Sequence, residues 1–120
     1  MNRSKYFQIA IAIVSMGFIS TAYALDDGWY GYSDTIGSCP AANSAVLFLE
    51  KDKAISISAT GGSTTVEGSP KIITAPSRIT AREGSEYLIG TIWKDKSNKI
   101  HLKVKEGSAC VGAEIIFSKS

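Results

Sequence analysis

The chain's polar and apolar positions alternate with a period of two along most of its length, the spacing that puts successive side chains on opposite faces of a β-strand. Ile100, Leu102 and Val104 alternate with His101, Lys103 and Lys105, giving one apolar and one cationic face. Ile55 and Ile57 alternate with Ser56 and Ser58, and Tyr87, Ile89, Thr91 and Trp93 share a face opposite Leu88, Gly90 and Ile92. Val111, Ala113, Ile115 and Phe117 form a further set. Turn formers stand between these runs: Lys51-Asp52, Gly61-Gly62-Ser63, Gly68-Ser69-Pro70, Lys94 to Lys99, and Glu106-Gly107-Ser108. Short runs rich in Ile, Val, Thr and aromatics, punctuated in this way, read as strands in hairpins. The predicted strands are Gly28–Ser33, Ala45–Glu50, Ala54–Ala59, Thr64–Glu67, Lys71–Thr74, Arg78–Ala81, Glu86–Trp93, Lys99–Lys105 and Ala109–Phe117. One helical turn is expected at Pro40–Ser44, with proline at its start. The predicted fold is all-β: an antiparallel meander of about eight strands, closed into a small barrel or folded into a sandwich.

The first 24 residues depart from this pattern. Arg3 and Lys5 precede an uncharged stretch from Tyr6 to Leu25, apolar throughout Ile9–Val14, which ends in the small-x-small exit Ala22-Tyr23-Ala24. A basic start, an apolar centre and a small-residue exit predict a secretory signal peptide over 1–24, cleaved after Ala24, and a single β-domain over 25–120. Export sends the domain to the periplasm or the secreted space. No membrane span is expected after cleavage.

Export changes the reading of the two cysteines. Cys39 and Cys110 lie near the two ends of the expected domain and enter an oxidising compartment, so they are predicted to pair. Arg3 and Lys5 also account for the whole excess of the 13 Lys and Arg over the 11 Asp and Glu. The expected domain is therefore neutral, with no overall field to hold a phosphate backbone, and nucleic acid is excluded as an expected partner.

No catalytic signature emerges. His101 is the only histidine. It is read as a solvated residue on the outer strand face beside Lys103, whose charge disfavours an imidazolium. Glu50 and Asp52 beside Lys51 and Lys53, and Asp95 between Lys94 and Lys96, read as solvated hairpin charges. No Gly-x-Ser-x-Gly, phosphate-binding glycine loop or His-Glu-x-x-His occurs. Neither a cofactor nor a metal is called for, and the chain is expected not to be an enzyme.

Binding candidates remain. Arg82-Glu83-Gly84-Ser85-Glu86 carries polar side chains that no core would satisfy, and with Tyr87 it is the predicted contact segment, together with Lys94 and Lys96 of the next turn. Glu86–Trp93 spans roughly 25 Å if extended, which places these two groups at opposite ends of one strand. In Gly28-Trp29-Tyr30-Gly31-Tyr32, Trp29 is expected to line the interior, leaving Tyr30 and Tyr32 on the other face as a second candidate surface. Glu83-Gly84-Ser85-Glu86-Tyr87 followed by Trp93-Lys94 resembles, over about a dozen residues, the Ser-Gly-x-x-Tyr loop and Trp-Lys strand of the periplasmic inhibitors of C-type lysozyme. Glu83 stands at the position of that family's inhibitory serine, the Tyr-to-Trp spacing is short and the opening strand differs. The resemblance implies an inhibitor. The functional expectation is thus a non-catalytic binding or inhibitor module, with a protein or an envelope glycan as partner. Alternatives are a self-associating envelope protein and a lysozyme-inhibitor-like protein.

Overall fold

The computed structural model describes residues 25–59 and 62–120; the expected signal peptide lies outside them. Eight strands follow in order: β1 (Gly28–Ile36), β2 (Val46–Glu50), β3 (Lys53–Ala59), β4 (Gly62–Thr65), β5 (Ser77–Glu83), β6 (Glu86–Lys94), β7 (Ile100–Gly107) and β8 (Glu114–Lys119). A single 3-10 turn, Ala42–Ser44, stands where the proline-led helical turn is predicted. The sheet order is β4-β3-β2-β1-β8-β7-β6-β5, and every neighbouring pair is antiparallel. Read around the ring, this is an up-and-down meander whose first and last strands pair. The ring is nearly closed: β4 and β5 share no ladder, and their backbones are joined there by a bridge between Val66 and Ala81 and a bond from the Glu67 amide to the Thr80 carbonyl (2.8 Å). Of the two predicted architectures, the barrel is the one formed.

Register irregularities bend the sheet into this ring, since an extra residue on one strand sharpens local twist. They leave Ser33 extra against β8, Ile55 extra against β2 and Lys105 extra against β6. At the last of these β6 and β7 approach so closely that a Cβ on Gly90 would lie 2.1 Å from the Lys103 carbonyl oxygen. Glycine is therefore a packing requirement at position 90.

Strand alternation fills the interior. Leu47, Leu49, Ile79, Ile92, Ile100, Leu102, Val104 and Phe117 are fully buried, with Ile72 contributed by the β4–β5 connection. Lys71–Thr74 is not a strand: only Lys71 forms a bridge, to Lys53. That connection instead closes one end of the barrel, the Ile72 amide donating to the Asp52 carbonyl and the Lys94 amide to the Ile73 carbonyl. The same end is tied to the start of the domain. Lys51 and Asp52 form the β2–β3 turn with φ of 51° and 66°, and the Asp52 Oδ1 accepts from the Leu25 nitrogen at 2.7 Å.

Cys39 and Cys110 are bonded, their Cα atoms 4.8 Å apart. The disulfide lies at the opposite end and joins the β1–β2 connection to the β7–β8 connection. The front half of the predicted last strand is consequently a turn: Cys110 has a φ of 64°, and the Ala113 amide donates back to its carbonyl. Registered strand pairing with β1 and β7 begins at Glu114, after the Gly112 amide has donated to the Val104 carbonyl and the Val104 amide to the Ala113 carbonyl.

Candidate functional site

The disulfide end of the barrel is open. Large side chains fill the other end, but here the inward positions are held by Ala42, Ala45 and Ala81, too short to meet across the ring. The result is a cavity of about 350 Å³. Ile57, Leu88 and Ile115 line it with the alanines, and the disulfide together with Ala41, Ser108 and Ala109 forms one side. Barrel mouths of this kind are a recurrent place for ligand pockets.

The rim carries the charge. Glu83 continues the inward row of Ile79 and Ala81 on β5, and Glu86 begins the inward row of Leu88, Gly90 and Ile92 on β6. The two are direct cross-strand partners on either side of the two-residue turn Gly84-Ser85, with Gly84 at a φ of +60°. Both line the cavity, as does Tyr87. Glu83 Oε1 accepts from the Thr64 hydroxyl (3.4 Å), a side-chain contact across the incomplete β4–β5 seam. Arg82 takes the outward alternation, its guanidinium 5.3 Å from the Tyr87 ring centroid and its Nε 3.7 Å from Glu67 Oε2. The structure thus brings Glu83, Glu86 and Tyr87 together at the mouth, with Arg82 behind them.

Other candidates fall elsewhere. Lys94 is not a solvated turn residue: β6 continues one position past Trp93, which puts Lys94 on the inward row, 4% exposed, at the closed end. Lys96 lies exposed in the following turn, away from the mouth. In β1 the expected orientation is reversed. Tyr30 pairs with inward Leu47 and is 2% exposed, its hydroxyl donating to the Asp26 carbonyl. Burial, first, and the negative charge of Asp26 push its phenol pKa up. Its ring is therefore core and offers no contact surface. Trp29 is the residue that faces out, 48% exposed, tilted against Phe48 with centroids 4.8 Å apart. Tyr32, beside the bulge at Ser33, keeps an exposed edge, and its hydroxyl oxygen accepts from Thr35.

His101 is a further correction. Its side chain is only 16% exposed, stacked on Trp93 at 5.2 Å, with Nδ1 2.7 Å from Glu114 Oε2 and Nε2 2.8 Å from Asp95 Oδ2. An imidazole with both nitrogens against carboxylates donates from both, which is the cationic form. Burial opposes that charge, but the bonds to Asp95 and Glu114 outweigh it and raise the imidazole pKa. Asp95 in turn loses water, yet bonds from His101 and from the Ser97 and Lys99 amides pull its carboxyl below the ordinary value. The partners arrive from a turn and from β8, so the Lys103 next to His101 in sequence was a poor guide to its charge.

The cavity walls were missed in the sequence, although a signal exists: small residues flank both cysteines, Ala41, Ala42 and Ala45 after Cys39, and Ser108-Ala109 before Cys110. Among the described residues no group of three or more His, Cys, Asp or Glu is placed to hold a metal ion, and no helix is long and apolar enough to cross a membrane. No protein-family profile, curated protein or solved structure matches the chain.

Proposed function

We propose that this chain is an exported, non-catalytic binding domain whose site is the open mouth of the barrel. The observation that carries this reading is the cavity of about 350 Å³ beside the disulfide. A space of that size with apolar walls and a few polar groups at its rim suits a small ligand, or one inserted group of a larger one. The disulfide supports the assignment, since it fixes two of the connections that shape the opening.

The test is a screen of small apolar and amphipathic compounds against the disulfide-bonded protein, read by amide chemical shifts. Binders are expected to move Leu88, Ser108 and their neighbours. Their effect should disappear in the Ala41→Trp/Ala109→Trp variant, which places bulk at two exposed lip positions. Binders that map elsewhere and ignore these substitutions would overturn the assignment.

A second reading, self-association through the outer face of β1 and β2, rests on the exposed Trp29 and its half-buried ring partner Phe48. It predicts a dimer or larger species in light scattering that Trp29→Ala disperses.

A further inference from the structure

We propose that the occupant of the mouth is a small organic cation, an apolar body carrying a protonated amine. This rests on the mouth being the binding site and adds the chemical class that it selects. The described residues lining the cavity include two charged ones, Glu83 and Glu86, and both are carboxylates. The nearest cation of that hairpin, Arg82, points the other way and is engaged with Glu67 and the Tyr87 ring. The walls below are apolar, so a ligand that fills the cavity is desolvated along its body, and its charged end meets the rim.

The register sharpens the argument. Like charges directly opposite each other on one face of an antiparallel pair oppose folding, and Glu83 and Glu86 are such a pair, both on inward rows. An ammonium group seated between them relieves that repulsion and makes charge-assisted hydrogen bonds. An anion at the same place would add a third negative charge. A neutral ligand gains the apolar walls alone. The mouth is therefore built to rank ligands of equal size by charge.

Three probes with the same body test this: 4-phenylbutylamine, 4-phenylbutanol and 4-phenylbutyrate, titrated into the disulfide-bonded protein near pH 7 and followed by calorimetry and amide shifts. The amine is expected to bind at least tenfold more tightly than the alcohol, with the carboxylate weakest, and the preference should shrink in high salt because the rim is solvated. Glu83→Gln/Glu86→Gln should bind amine and alcohol alike, retain the alcohol's wild-type affinity, and show no fall in Tm without ligand. Equal binding of all three probes at the mouth, blocked by Ala41→Trp/Ala109→Trp, would overturn the charge selection and leave the mouth as a site. No saturable binding by any probe would overturn both.

Discussion

At the scale of single residues, the imidazole of His101 makes stability depend on pH. It joins the β6–β7 turn, through Asp95, to β8, through Glu114. Because its folded pKa is raised, its contribution is fully present below about pH 6.5, the unfolded value, and is lost as pH rises through the folded value. Asp95 has the opposite sign. Its lowered pKa contributes above the ordinary carboxyl value and is lost as pH falls through the folded one. Thermal unfolding should therefore show stability falling as pH rises from about 6.5 through the folded value, and His101→Gln should flatten that limb. The same substitution should cost about 1–2 kcal/mol by denaturant titration, because two hydrogen bonds to carboxylates are weakened. This reverses the expectation for a solvated histidine. A second residue-scale outcome concerns Gly90, where a methyl group collides with the Lys103 carbonyl. Gly90→Ala should destabilise by more than about 2 kcal/mol, since backbone rather than a flexible side chain must move.

At the scale of elements, the strands were legible because alternation is a local signal. The sets Ile100, Leu102 and Val104, and Leu88 and Ile92, are inward as the pattern demands. What sequence could not supply was parity where side-chain chemistry argues both ways. Trp29 and Tyr30 are adjacent aromatics, and only pairing with Phe48 and Leu47 decides which faces in. Lys94 has the inward parity of its strand, but its charge argued for the turn. Nor could alternation see that the Cys110 segment folds back to meet Cys39, or that Ile72 belongs to the core without belonging to a strand. The Glu83–Glu86 hairpin was legible as a turn between two strands, while the cavity beneath it depends on alanines from three separate stretches. The disulfide joins two of these stretches across 71 positions. On the chain-entropy account such a closure stabilises by up to roughly 4 kcal/mol. Reduction should therefore lower Tm markedly and broaden amide signals around Ala41, Ala42 and Ser108, whereas two alkylatable thiols in unreduced protein would contradict the bond.

At the scale of the whole molecule, the barrel closes tightly on one side and loosely on the other. β1 and β8 pair over six registered positions, but β4 and β5 share one bridge. Amide exchange should be slowest in β6, β7 and β8 and fastest in β4, whose outer edge has few partners. Val66→Ala should speed exchange along β4 and β5 while leaving β1 and β8 close to wild type. The closed end holds one further consequence. The Leu25 nitrogen that Asp52 accepts from at 2.7 Å belongs to a peptide bond as long as residue 24 is attached. Cutting the chain at the expected place would turn that same atom into an ammonium, already seated against a carboxylate and largely buried, with Leu25 6% exposed. A hydrogen bond from a neutral amide to a carboxylate would become an ammonium–carboxylate ion pair at the same place. Maturation would then act as a latch, and the trimmed protein should melt at a higher temperature than the uncut one. Asp52→Asn should erase most of that difference, and so should acetylating the new terminus.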